Sequence, residues 1–110
     1  MHTGIDIKAP LAANVLATAN GVVIKSGWTG GYGRLVEVRH KNGVSTRYAH
    51  LKKILVKNGQ HVKLGDVVGL LGNSGRSTGA HLHYETRLGG RAMNPTRVWK
   101  ARHDFQALAK

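Results

Sequence analysis

The segment His81-Leu82-His83-Tyr84-Glu85 carries two imidazoles and a carboxylate at alternate positions. On a β-strand, alternate residues share a face, so His81, His83 and Glu85 point one way and Leu82 and Tyr84 the other. Histidines two apart on a strand lie about 6–7 Å apart at Cα, close enough for both rings to converge on one point. A second pair, His2 and Asp6, is spaced by four residues. Along a straight strand that is about 13 Å, so a bend at Thr3-Gly4 must join them if both serve one centre. Gly4 and the β-branched Ile5 and Ile7 argue against a helix there. A third imidazole, His50, closes the run Arg47-Tyr48-Ala49-His50. Each pattern alone is common; together, in a domain this small, they point to a site that binds a metal or moves protons.

The chain has 110 residues, which fits one domain. It contains no cysteine, which excludes disulfides and thiolate metal sites, so a metal here must use histidine and carboxylate. Seventeen Lys and Arg face five Asp and Glu, a formal charge of +12 that favours an anionic partner. Nucleic acid, acidic lipid headgroups and anionic cell-wall polymer all qualify. Aromatic residues make up only 5% of the chain and no familiar nucleic-acid motif occurs, so specific nucleic-acid binding is not expected. No transmembrane run and no secretory signal layout is present.

The elements that must position the histidines read as short strands. Fifteen glycines punctuate β-branched runs at Val15 to Lys25, Arg34 to His40, Val44 to Leu51, His61 to Lys63, Val67 to Leu71 and His81 to Arg87. The fold class is therefore all-β, a compact antiparallel sheet or barrel-like sandwich. Asn42-Gly43 predicts a two-residue type I′ hairpin, which would pair Leu35 with His50 and put His40 on the face opposite His50. Gly59 and Gly65 predict tight hairpins around His61 to Leu71. From Asn94-Pro95 the pattern changes, and Val98, Trp99, Phe105 and Leu108 suggest a short C-terminal helix or tail over 96–110, after a domain spanning 1–95.

His2 to Pro10, Gly31-Tyr32-Gly33, Tyr48 to Leu51, Gly59 to Glu85 and Asn94-Pro95 resemble, in order, the lysostaphin-type or LytM-type zinc metallopeptidases that cut the peptide part of bacterial peptidoglycan. The resemblance implies the antiparallel fold with its site in a groove. It implies Zn2+ held by His2, Asp6 and His83, with His50 and His81 as catalytic groups beside the metal. Three protein ligands leave a position for water, whose pKa zinc lowers to about 7, and the two imidazoles can shuttle protons near neutral pH. Glu85 shares the metal-facing parity and is expected to accept a hydrogen bond rather than bind metal. His40, His61 and His103 are expected at the surface or with their ring nitrogens satisfied. One departure is Ala12-Ala13-Asn14, where the family usually carries Gly-Thr-Pro.

The expected function is a zinc-dependent endopeptidase hydrolysing peptidoglycan crosslinks, at D-Ala–diaminopimelate rather than Gly–Gly bonds. Stem-peptide carboxylates would suit a cationic surface including Arg34, Arg47, Arg76 and Arg87. The alternative is a non-catalytic peptidoglycan-binding or regulatory module that activates other hydrolases. A lipoyl- or biotinyl-carrier reading of the glycine-punctuated segment lacks the Met-Lys or Asp-Lys tip and leaves the histidines unused. The resemblance further implies an exported protein of the periplasm or cell envelope. Because His2 sits at the chain's edge, a trimmed catalytic domain, with upstream domains or regulators, is expected.

Overall fold

The computed structural model describes residues 4–73, 81–89 and 91–92. Among these residues nine antiparallel strands run in order: β1 (Ile5–Lys8), β2 (Asn14–Leu16), β3 (Gly21–Thr29), β4 (Gly33–Arg39), β5 (Val44–Ile54), β6 (His61–Val62), β7 (Val67–Leu71), β8 (His81–Leu88) and β9 (Arg91–Ala92). Among the described residues the only helical piece is a 3-10 turn, Gly30–Tyr32, between β3 and β4. Residues 96–110, where a helix or tail is expected, lie outside the described residues, as does the Asn94-Pro95 turn.

The main path of the sheet is β1-β8-β5-β4-β3-β6, with β7 joining β5 to β2 and β9 extending β8. One face of this sheet holds the core. Val36, Val38, Tyr48, Leu82 and Tyr84 pack there with Val15, Val23, Leu51, Val62, Val68 and Leu71 from the other strands. Fully burying each such aliphatic side chain contributes about 1.5–3 kcal/mol, which is why alternation along β4, β5 and β8 sets their orientation. Inside this core one hydroxyl ties two strands together. Thr18 Oγ1 lies 3.0 Å from Tyr48 Oη and 3.2 Å from Tyr84 Oη, and the Thr18 amide donates to Tyr48 Oη at 3.1 Å. The tyrosine two before His50 and the one after His83 thus share one anchor.

The long run read as Val15 to Lys25 divides into β2 and β3, and the Gly59 and Gly65 turns do not close hairpins. β6 leaves its sequence neighbours to pair with β3, while β5 pairs with β7. The turns are held locally: the Lys57 amide donates to Gln60 Oε1 and the Lys63 amide to Asp66 Oδ2.

The Asn42-Gly43 hairpin forms with three loop residues, not two. Both positions have positive φ, but the His40 amide donates to the Val44 carbonyl, and the ladder pairs Arg39 with Ser45 and Val36 with Tyr48. The expected Leu35–His50 pair does not occur, because a bulge between Arg34–Leu51 and Val36–Tyr48 falls there. His50 sits in that bulge with φ +62°. At His50, β5 also changes neighbour: Val44 to Ala49 pair with β8, and Leu51 to Ile54 with β7. Bulges turn strands at such corners.

Candidate active site

The other face of β1, β8, β5 and β4 carries the chemistry-bearing side chains around the buried Leu35 and Ala49, and register decides what meets on it. Asp6 lies directly opposite His83 and Lys8 opposite His81, so Asp6 and His83 project from the same side as direct cross-strand neighbours. Asp6 Oδ1 is 3.0 Å from His83 Nδ1 and 3.6 Å from His81 Nε2. The His50 ring joins them from the bulge, its centroid 5.4 Å from that of His81 and 6.0 Å from that of His83. Four of the five expected residues therefore converge; the fifth, His2, lies outside the described residues. The parity expected along β8 holds, since Leu82 and Tyr84 enter the core.

Burial differs across the group. The Asp6 side chain is 61% exposed and those of His81 and His83 only 15% and 19%, so the carboxylate stands at the open edge and the imidazoles at its floor. Glu85, one step further along the same face, is fully buried. Its Oε1 accepts from His83 Nε2 at 3.0 Å and from the Tyr32 hydroxyl at 2.8 Å, and its Oε2 accepts from Arg87 at 2.9 Å. The expectation that Glu85 accepts a hydrogen bond fits this geometry. The hydrogen bond to Glu85 raises the His83 pKa above its ordinary value; burial pulls it down, and Asp6 adds to the rise. Burial, and then Glu85, likewise raise the Tyr32 hydroxyl.

Charge alternates in a row across four strands, Lys25 opposite Glu37, Glu37 opposite Arg47, and Arg47 opposite Glu85. Arg47 Nε donates to Glu37 Oε1 at 3.0 Å, and its guanidinium stands 5.2 Å from the centre of the Tyr32 ring. This corrects the expected cationic surface. Arg47 and Arg87 are half-buried partners of Glu37 and Glu85, and only Arg34 of the described three is exposed. Arg76 lies outside the described residues.

Sequence reasoning named Tyr32 and Arg87, in the family resemblance and the expected cationic surface, but not as partners of Glu85. Arg87 continues the His81, His83, Glu85 parity and was legible; Tyr32 was not, because a short glycine-flanked turn gives no facing rule. Of the remaining histidines, His40 is satisfied by the Asn20 carbonyl and Thr46 Oγ1, which places it on the core side away from His50, and His61 is exposed. His103 lies outside the described residues. Two surface hollows of about 450 and 390 Å³ lie around Asn20, His40 and Lys41, and neither is lined by Asp6, His50, His81 or His83.

Chemically, an ionised Glu85 accepts only, so His83 Nε2 must donate and Nδ1 of the neutral ring carries its lone pair toward Asp6. An imidazole nitrogen and a carboxylate oxygen facing each other form a donor pair that zinc accepts, and a third ligand would complete a catalytic set. No group of three or more metal-binding side chains is found among the described residues.

Residues 1–95 match the model of peptidase family M23. The chain is 50% identical over 98 residues to the DD-carboxypeptidase/endopeptidase Mpg of Neisseria meningitidis, a match covering 89% of the chain and 23% of that relative. A zinc-containing peptidase from Vibrio cholerae superposes with a TM-score of 0.80 at 41% identity, over 84% of this chain and 28% of that one. The catalytic domain of lysostaphin from Staphylococcus simulans superposes with a TM-score of 0.86 at 31% identity, over 91% and 80%. The chain thus spans about a quarter of the length of the Neisseria relative.

Proposed function

Because the chain belongs to peptidase family M23, we propose that it is a zinc-dependent endopeptidase hydrolysing the peptide crosslinks of bacterial peptidoglycan. His2, Asp6 and His83 would hold the zinc, and His50 and His81 would serve the reaction as proton-carrying and oxyanion-stabilising groups. The reading is carried by one observation: Asp6 Oδ1 and His83 Nδ1 face each other at 3.0 Å with the rings of His50 and His81 alongside. When bound, zinc supplies Lewis acidity, polarising the scissile carbonyl and making water acidic enough to attack near neutral pH.

The chain's own residues supply the rest. Glu85 keeps the His83 ring oriented, and Asp6 brings negative charge to the open edge where a cation enters. The largely buried His50 and His81 rings hold protons at the reacting amide, one receiving and one donating as the tetrahedral centre forms and the amine leaves. Cleavage between D-Ala and diaminopimelate, rather than between glycines, is supported by the higher identity to a DD-carboxypeptidase/endopeptidase than to lysostaphin. The same relationship supports action in the periplasm or cell envelope, within a longer protein. No helix among the described residues is long and apolar enough to cross a membrane.

Purified crosslinked peptidoglycan incubated with the zinc-loaded protein, with and without chelator, tests this. Loss of crosslinked dimers that chelator prevents is expected, with fragment masses matching D-Ala–diaminopimelate cleavage. Intact dimers from a zinc-loaded, folded protein would refute the catalytic reading.

A further inference from the structure

We propose that Glu85 is a positioning residue, held by Tyr32 and Arg87 so that it fixes the His83 ring with its proton on Nε2 and its Nδ1 lone pair toward Asp6 before any metal arrives. The inference rests on the reading of His83 as a ligand. Glu85 has no solvent exposure although it projects from the polar face of β8. A carboxylate so placed is costly unless its oxygens are satisfied, and here both are. Arg87 donates to Oε2, while His83 Nε2 and the Tyr32 hydroxyl both donate to Oε1. Neither oxygen retains freedom to turn away from His83 without losing a partner.

The brace extends beyond these contacts. Tyr32 enters from the turn between β3 and β4, and its ring is backed by Arg47, itself paired with Glu37. On the other side Gly4, the residue leading into β1, lies against Glu85: a Cβ added there would stand 2.8 Å from Glu85 Cγ and clash with the Tyr84 carbonyl oxygen. Gly4 therefore lets β1 close over the carboxylate, and two residues later β1 presents Asp6 to His83. One series of contacts, Glu37–Arg47–Tyr32–Glu85–His83–Asp6, crosses the sheet and ends at the donor pair. Acceptors of this kind typically change metal affinity 10–100-fold when removed.

The test compares the metal-free and zinc-titrated protein with its E85M, E85Q, Y32F and H83A variants. Ring 15N shifts at about pH 9, where imidazole is neutral, read the tautomer; competition with a chromophoric chelator reads zinc affinity. Expected are a predominantly Nε2-protonated His83 in the wild type, a 10–100-fold weaker zinc affinity and a mixed tautomer in E85M, and in E85Q a retained tautomer with partial rescue of affinity, since its amide oxygen still accepts from His83 while its amide nitrogen loses the Arg87 bond. Y32F keeps the tautomer and loses a few-fold in affinity. A predominantly Nδ1-protonated His83 in the wild type overturns the proposal even if E85M fails to fold. So does folded E85M with wild-type zinc affinity when H83A has lost zinc. H83A that retains zinc would instead overturn the ligand reading on which the proposal stands.

Discussion

The His50 ring meets the His81 ring edge-on at 5.4 Å, and it reaches that position from a backbone with φ +62°. A non-glycine residue in the left-handed region costs about 1–2 kcal/mol, so the bulge that aims this imidazole is held under strain. His50→Ala and His50→Gly should both abolish hydrolysis. His50→Gly should nevertheless be the more stable of the two by about 1 kcal/mol, read from denaturant midpoints. Equal midpoints would mean that the bulge carries no strain.

Asp6 is the exposed member of the donor pair, which separates the metal role proposed for it from its role in folding. Asp6→Asn should change metal-free stability by less than about 1 kcal/mol, as expected for an exposed ion pair. Wild-type protein should gain about 2.7 kcal/mol at zinc 100-fold above its Kd. Most of that gain should vanish in Asp6→Asn; an undiminished zinc-induced thermal shift would remove Asp6 from the ligand set.

How much of this was legible in the sequence depended on the rule each residue obeys. Strand parity alone put His81, His83 and Glu85 together and sent Leu82 and Tyr84 inward, because burial of alternate residues leaves a strand no choice. The meeting of Asp6 with His83 was invisible to local pattern, since it is set by β1 pairing with β8. The position of His50 was misjudged for a related reason: Asn42-Gly43 signals a hairpin, but it does not count the loop residues or announce a bulge eight positions later. Tyr32 lay beyond any periodicity, in a turn where neighbours alone set the side chain's direction.

Acidity should act on the metal-free protein through His83. Its pKa is raised in the folded state by Glu85 and Asp6, so its contribution to stability is fully present below the unfolded value of about 6.5 and is lost as pH rises through the folded value. Melting curves of metal-free wild type and His83→Gln, compared from acid to alkaline pH, should show the wild type's advantage shrinking across that window. Zinc affinity should run the other way, weakening as protons occupy Nδ1. An advantage that grows with pH would reverse the assignment.

Gly4 is constrained by space rather than by φ. Gly4→Ala forces β1 away from Tyr84 and Glu85, an overpacking that should cost about 1–3 kcal/mol. Zinc affinity should fall at least tenfold as Asp6 moves with the strand. Unchanged affinity in a folded variant would show that β1 can shift without carrying Asp6 along.

Thr86 Oγ1 is fully buried and has no hydrogen-bond partner among the described residues. Thr86→Val replaces an unsatisfied hydroxyl with a methyl of similar shape, so it should be neutral or stabilising by about 1 kcal/mol, in contrast to the usual cost of altering a core position. A loss above about 1 kcal/mol in chemical denaturation would show that the hydroxyl is satisfied after all.

Asp6 and His83 are 77 residues apart in the chain, yet they are direct cross-strand neighbours, with β8 inserted between β1 and β5. A chain still emerging from the ribosome, or cut before its eighth strand, thus has no weaker version of this centre; it has none. The Asp6–His83 pair exists only once β8 docks beside β1, and pairings of such long sequence separation are slow to form. The proposed activity is thereby delayed until β1 and β8 pair, by topology alone.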